Sequence, residues 1–134
     1  MKRILVLCLT AILAVCVASA ARQPGEKVGV SFPEIVYDFG TVKQSDKPVV
    51  HEFVMKVDGD SPVVIVTASA SCGCTRPTYD RKPVSPGKST AIKVRFLPKG
   101  QKGEIDKSVR VRLKNGKGKS ETVNLRITGV VVPN

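Results

Sequence analysis

The sequence predicts an all-β sandwich of about seven short strands. Apolar and polar residues alternate with a period of two from Phe32 onward, and turn-forming residues recur between the alternating runs. Helical periodicity does not occur in this part of the sequence. The chain has 134 residues, of which 42% are hydrophobic and 25% charged. This composition is ordinary for a single globular domain, so neither two domains nor a disordered chain is expected.

The alternating runs define the predicted strands, which cover residues 31–37, 51–57, 62–68, 76–79, 92–97, 109–114 and 123–128. The run over residues 62–68 is continuously rich in Val and Ile, as is typical of a strand covered on both faces. Asp58-Gly59-Asp60 and Asn115-Gly116 are two of the turns between strands, and Asn-Gly is the strongest turn dipeptide. The chain has no Trp and no widely separated cysteine pair in this region. An immunoglobulin-like sandwich without the hallmarks of an antibody domain is therefore expected.

The first twenty residues predict a secretory signal peptide. Two basic residues after Met1 precede an apolar run over residues 4–17, and Ala18-Ser19-Ala20 forms a small-x-small cleavage site. The apolar run is shorter than the roughly 20 residues of a comfortable transmembrane helix. Export to the periplasm or to the cell envelope is therefore expected. An uncleaved N-terminal anchor and a lipoprotein modified at Cys16 are the alternatives.

Cleavage after Ala20 changes the charge and the cysteine inventory of the chain. The formal charge falls from +11 to +9 because Lys2 and Arg3 are removed, and Cys72 and Cys74 are the cysteines that remain. No second long apolar segment follows, so no membrane span is expected after cleavage. The predicted division is a signal peptide at residues 1–20, a flexible leader at 21–30 and an immunoglobulin-like domain at 31–134.

The sequence excludes several kinds of catalytic site. His51 is the single histidine, so a His-rich metal centre is impossible, and the core is too small for a large cofactor pocket. Gly87-Lys88-Ser89-Thr90 lacks the earlier glycine that a P-loop requires, and Asp38-Phe39-Gly40 has no other kinase motif around it. We therefore predict no catalytic residue, no metal and no cofactor, which favours a protein that is not an enzyme.

Six basic residues fall on the outward side of three predicted strands. If these strands are neighbours, the six form one cationic surface that attracts a protein or an anionic component of the envelope. A solvated face that keeps the protein soluble is the simpler alternative. Nucleic acid is not an expected partner, because the aromatic residues are scattered and offer no stacking platform. The six residues are Lys93, Arg95, Arg110, Arg112, Lys114 and Arg126.

Cys72-Gly73-Cys74 is the most unusual local feature. A strand would place both cysteines on one face near the upper limit of the spacing for a disulfide, and a positive φ at Gly73 can draw them closer. Such a disulfide closes almost no loop and is easily reduced, which suits redox exchange. Two thiolates could instead bind a soft ion such as Cu(I). A purely structural pair in a tight loop is the third alternative.

Five segments in order along the chain carry a combined pattern: Asp38-Phe39-Gly40-Thr41-Val42, residues 59–65, Ser71-Cys72-Gly73-Cys74-Thr75, residues 83–88 and residues 99–103. This pattern resembles domain-of-unknown-function family 1573, a bacterial family of small secreted immunoglobulin-like proteins, over about residues 32–131. The resemblance implies a sandwich related to assembly modules, and it implies no established reaction, cofactor or catalytic residue. One departure is Lys56-Val57-Asp58, where an Asn is expected near the strand end.

Two functions therefore remain open. The first is a secreted, non-catalytic binding or assembly module of the bacterial cell envelope. The second is a thiol-redox or soft-metal-binding protein that acts through Cys72 and Cys74.

Overall fold

Two four-stranded sheets form the fold. The computed structural model describes residues 27–134, so the predicted signal peptide, Cys16 and residues 21–26 of the predicted leader lie outside the described residues. Within residues 27–134 there is no helix, and so none that is long and apolar enough to cross a membrane, and the all-β prediction is confirmed. The strands are β1 (Val30–Ser31), β2 (Val36–Lys43), β3 (Val49–Val57), β4 (Val63–Ala70), β5 (Thr75–Thr78), β6 (Ser89–Phe96), β7 (Gly103–Asn115) and β8 (Ser120–Val132).

Among the described strands, two pairs that follow one another in the sequence are also neighbours in a sheet, β5 with β6 and β7 with β8, and the other consecutive strands are separated. Sheet A has the order β1-β3-β6-β5, and sheet B has the order β2-β8-β7-β4. All neighbouring pairs are antiparallel except β2 and β8, which are parallel. Consequently β6 lies in a different sheet from β7 and β8.

The two sheets share one apolar core built from alternate side chains. In β3, for example, Phe53, Met55 and Val57 are buried while the residues between them are exposed. Burying a side chain of this size contributes about 1.5–3 kcal/mol. The largest fully buried side chains are Phe53, Phe96, Met55, Ile92, Leu113, Leu125, Val28, Val57, Val63, Val94, Val109 and Val111.

The N-terminal region differs from the sequence prediction. Residues 31–37 were expected to form one strand, but β1 ends at Ser31 in sheet A and β2 begins at Val36 in sheet B. Pro33, between the two strands, has no N–H group to donate to a sheet, which explains the break. Val28, assigned to the leader, is 2% exposed and belongs to the core, so the domain begins before residue 31.

The strand over residues 62–68 was expected to be covered on both faces, and this expectation is wrong. It corresponds to β4, which is an edge strand of sheet B, and Val66 is 45% exposed. The register shifts between Ile65 and Thr67, so a bulge interrupts the alternation at this point. Val66 points outward by the ordinary alternation that buries Val63 and Ile65. After the bulge the inward positions are Ala68 and Ala70, so both faces of the run carry apolar residues and the sequence resembles a fully buried strand.

Phe39 packs on Gly129 of its own sheet and on Phe96 of the other sheet. The Phe39 ring lies over Gly129 of β8, where a Cβ atom would overlap the ring, and it stacks on Phe96 of β6 with ring centroids 5.1 Å apart. Gly40 has a φ of 72°, and its N–H donates to Asp38 Oδ1 at 2.7 Å. The tripeptide Asp38-Phe39-Gly40 therefore has a packing role at a register shift of β2.

Candidate functional site

The Cys72-Gly73-Cys74 segment joins β4 of sheet B to β5 of sheet A. On the side of sheet B, the Ser71 N–H donates to Ser108 O at 2.9 Å, and the Ser108 N–H donates to Ser71 Oγ at 3.2 Å. On the side of sheet A, the Leu97 N–H donates to Cys74 O at 2.8 Å. The segment is therefore held at both ends by backbone atoms of the two sheets.

Cys72 and Cys74 are joined by a disulfide, with Cα atoms 5.4 Å apart. That separation lies in the ordinary range for a disulfide. Gly73 does not adopt a positive φ, so the role expected of this glycine is wrong. A Cβ atom at Gly73 would meet no other atom within 4 Å, so the segment is open to solvent at its centre.

The Thr75 hydroxyl lies near both sulfur atoms. Thr75 Oγ1 lies 3.8 Å from Cys72 Sγ and 3.7 Å from Cys74 Sγ, and the residue is 2% exposed. Because disulfide sulfurs carry no hydrogen and the hydroxyl carries one, Thr75 donates to one of the two sulfurs at a time.

A groove of about 240 Å³ opens beside the disulfide and is lined by Gly73, Cys74, Arg76, Arg95 and Leu97. Arg76 of β5 lies directly opposite Arg95 of β6. Within residues 27–134 neither arginine forms an ion pair. Two like charges at opposed positions of a sheet destabilise the pairing. The disulfide therefore lies at the edge of an uncompensated cationic groove.

The sequence did not identify Arg76 and Leu97 as part of this site. The signal was present, because Arg76 follows Cys74 by two residues in an extended segment and so lies on the same face. The pairing of β5 with β6 places Arg95 beside it, and no local pattern reveals that pairing.

The single cationic surface predicted from six residues does not form. Lys93 and Arg95 lie on β6 in sheet A, whereas Arg110, Arg112 and Lys114 lie on β7, and Arg126 on β8, in sheet B. The condition that the three strands be neighbours is not met, because β6 pairs with β3 and β5. The six residues therefore occupy the outer faces of two different sheets.

Two of the six residues are also paired with carboxylates. Lys93 Nζ lies 3.6 Å from Glu52 Oε1. Arg126 forms a bidentate ion pair with Asp106, in which Nε lies 3.1 Å from Oδ1 and Nη2 contacts Oδ2. The hydrogen bond from Arg126 holds the pKa of Asp106 below its ordinary value. The other three of the six on sheet B, Arg110, Arg112 and Lys114, form a row at alternate positions of β7, about 7 Å apart.

His51 has a packing role in the described structure. Its ring stacks on Tyr37 with centroids 3.7 Å apart and meets the edge of Phe53 at 4.9 Å. Nε2 lies 3.3 Å from Glu34 Oε1, but within residues 27–134 no hydrogen bond of good geometry satisfies it. The same residues contain no group of three or more His, Cys, Asp or Glu side chains placed to bind a metal.

The outer face of sheet A exposes three large apolar side chains. Val50 is 51% exposed, Val54 44% and Leu97 43%. Val50 lies opposite Arg95 across β3 and β6. Between Val50 and Val54 the same face carries Glu52, whose charge is paired with Lys93. We call Val50, Val54, Leu97, Arg76 and Arg95 the mixed face.

Comparison with protein families identifies one match. The profile of a family described as "Protein of unknown function (DUF1573)" matches residues 30–131, which confirms the resemblance drawn from the sequence. Comparison with curated proteins finds no significant match.

Solved structures share the fold at low sequence identity. A PapD-like (ASH) domain of human CEP192 superposes with a TM-score of 0.69 at 14% identity, covering 87% of this chain and 96% of that domain. The Vibrio cholerae VesB protease superposes with a TM-score of 0.63 at 12% identity, and the match covers 76% of this chain and 32% of the protease. The periplasmic chaperone SfaE superposes with a TM-score of 0.59 at 12% identity, and the match covers 77% of this chain and 57% of the chaperone. The chain thus spans less than two thirds of the protease and of the chaperone, and these likenesses establish an immunoglobulin-like β-sandwich.

Proposed function

Because the chain belongs to the DUF1573 family, whose members are described as proteins of unknown function, we propose a function from its surfaces. The proposal is an exported, non-catalytic module that binds a protein in the bacterial cell envelope through the mixed face of sheet A. The partner presents an acidic surface with apolar residues at its centre.

The observation that carries this proposal is the composition of the mixed face. Val50, Val54 and Leu97 expose roughly half of their surface on the outer face of one sheet. Such side chains gain most from burial against a partner, and apolar residues at the centre of a patch with charges around them are typical of protein interfaces.

Charge decides what kind of partner fits. Arg76 and Arg95 have no carboxylate partner within the described part of the chain, and the formal charge of the whole sequence is +11. An acidic protein would pair with both arginines and would be steered toward this face. The likeness to the periplasmic chaperone SfaE, whose name places it in the periplasm, supports a protein-binding role in the envelope.

Site-specific cross-linking tests the location of the interface. A photoreactive phenylalanine analogue replaces Val50 in one variant and Thr122, on the outer face of sheet B, in the matched control. After irradiation of cells, we expect one discrete protein adduct from position 50 and none from position 122. Equal adducts from both positions, or none from position 50, would overturn the proposal.

Binding of the purified, cross-linked partner tests the energetics of the interface. V50S/V54S should weaken its affinity at least about tenfold, because buried apolar contacts at the centre of an interface dominate binding. The control R110Q/R112Q, on sheet B, should change the affinity by less than about twofold. An adduct made of an anionic polymer instead of a protein would contradict the proposed class of partner.

Export is tested separately, by N-terminal sequencing of the protein recovered from the envelope fraction. Cleavage after Ala20 leaves Ala21 as the new N-terminus, as the small-x-small motif predicts. Retention of Met1, or a lipid on Cys16, would show that the predicted processing is wrong.

A further inference from the structure

We propose that the Cys72–Cys74 disulfide is a site of thiol–disulfide exchange that oxidises a dithiol of a partner protein. This activity goes beyond binding, and it does not depend on the mixed face being a docking surface, because a small dithiol can enter the groove by itself.

The first argument is access combined with charge. Cys74 lines an open groove with Arg76 and Arg95, and neither guanidinium is neutralised within residues 27–134. The species that attacks a disulfide is a thiolate, which is an anion. The groove therefore concentrates the attacking species beside the sulfur that it must reach.

The second argument is that the disulfide can open without unfolding the domain. It encloses a single residue, so it constrains the unfolded chain only slightly. The hydrogen bonds of Ser71 to Ser108 and of Leu97 to Cys74 O hold the segment whether or not the sulfurs are bonded. After reduction, the same hydrogen bonds keep the two thiols close enough to be joined again.

The third argument is the buried Thr75 hydroxyl. It lies within 3.8 Å of both sulfurs, so it can donate to whichever of them leaves as a thiolate. A hydroxyl placed in this way stabilises the negative charge that develops when the disulfide breaks.

The reaction proceeds in two displacements. A thiolate of the partner attacks Cys74 Sγ, so a bond forms between the two proteins, and the bond to Cys72 Sγ breaks. Cys72 leaves as a thiolate and takes a proton from water. The second thiolate of the partner then attacks the partner's own sulfur in the mixed disulfide, and Cys74 leaves as a thiolate that is protonated in turn. The partner loses two electrons and becomes a disulfide, and this chain gains them as two thiols.

Exchange with dithiothreitol, a small dithiol, tests the inference on the folded protein. The reaction is quenched with an alkylating agent, and the mass increase counts the thiols at each time while circular dichroism confirms that the fold persists. We expect full reduction of the native protein. The rate should fall about threefold or more in R76Q/R95Q and about two- to tenfold in T75V. T75S, which keeps the hydroxyl, should react close to the wild-type rate.

The matched control is R110Q/R112Q, which removes the same charge from sheet B and should react at the wild-type rate. The proposal is overturned if the cysteines react only after denaturant unfolds the domain. It is equally overturned if R76Q/R95Q and R110Q/R112Q react alike and T75V reacts as T75S does. Because no protein partner is used, failure here leaves the proposed docking function standing, and failure of the cross-linking leaves exchange with dithiothreitol unaffected.

Discussion

The outer faces of the two sheets differ although both sheets contribute alternate residues to the same core. The face of sheet A exposes Val50, Val54 and Leu97 beside two unpaired arginines. On the face of sheet B, exposed polar residues such as Thr122 and Asn124 lie opposite Arg112 and Arg110. The face of sheet B also exposes Val36 and Val66, but these lie on β2 and β4, the two opposite edge strands of that sheet. In sheet A the exposed valines share the inner strand β3 and lie close together, and a grouped apolar patch of this kind is typical of a surface that binds a partner.

The two outer faces exist only while the sheets remain packed on each other, and Gly129→Leu should disrupt that packing. The new side chain would overlap the Phe39 ring, which also stacks on Phe96, so both sheets must move apart locally. We expect the free energy of unfolding to fall by roughly 3 kcal/mol. Chemical denaturation measures this loss. Gly73→Ala is the control, because its Cβ would meet nothing within 4 Å, and a similar loss in both variants would contradict the packing argument.

Removal of the disulfide should abolish thiol–disulfide exchange but should change the stability of the domain only slightly. C72S/C74S should lower the free energy of unfolding by at most about 1.5 kcal/mol, because a one-residue loop restricts the unfolded chain little. Denaturation under the same conditions as for Gly129→Leu gives the comparison. A loss that equals the one in Gly129→Leu would mean that the cysteines are mainly structural.

The separation of the cationic residues gives a prediction for anion binding. Reversal of Arg110 and Arg112 to Glu, or of Arg76 and Arg95 to Glu, changes the charge equally on opposite faces. Each pair should lower the salt concentration that elutes the protein from heparin, and neither should abolish retention at low salt. The effects of the two pairs should add, because distant sites are independent. Complete loss of retention in one pair alone would place anion binding on a single face.

These faces show what the sequence can and cannot predict. Alternation within a strand is local, so the strands, their inward residues and the outward position of Arg110 and Arg112 were all predictable. The partner of each strand is a non-local property. For that reason the sequence did not separate Arg95 from Arg110, and it did not bring Arg76 beside Arg95.

The errors along the chain have the same physical origin. The edge position of β4 and the bulge between Ile65 and Thr67 are set by how the strands pair across the whole sheet. No local pattern within β4 shows that pairing. The uncertainty about Cys72 and Cys74 was also three-dimensional, since the sequence does not show how close the backbone brings the two cysteines, and the disulfide forms without a positive φ at Gly73.

The smallest expected effect concerns the ion pair on sheet B. The hydrogen bond from Arg126 lowers the pKa of Asp106 in the folded state. The pair therefore stabilises the fold above the pKa of Asp106 in the unfolded chain, and this contribution is lost as the pH falls through the lower, folded pKa. D106N should have a slightly lower Tm than the wild type near neutral pH, and the difference should shrink as the pH falls below the ordinary range of an aspartate carboxyl.

Glu104→Gln is the control for that measurement. It removes the same charge from β7, and within residues 27–134 Glu104 forms no ion pair. A difference between D106N and the wild type that persists at low pH would show that Asp106 acts through packing and not through its charge.

The parallel pairing of β2 with β8 has a consequence for the order of assembly. β8 lies between β2 and β7, and it supplies the only neighbour of β2 in sheet B of the described structure. During synthesis, sheet B therefore cannot be completed until β8, Ser120–Val132, has emerged from the ribosome. Contacts between such distant parts of a chain also form slowly. The early strand β2 therefore has no partner in sheet B until a strand far along the sequence becomes available.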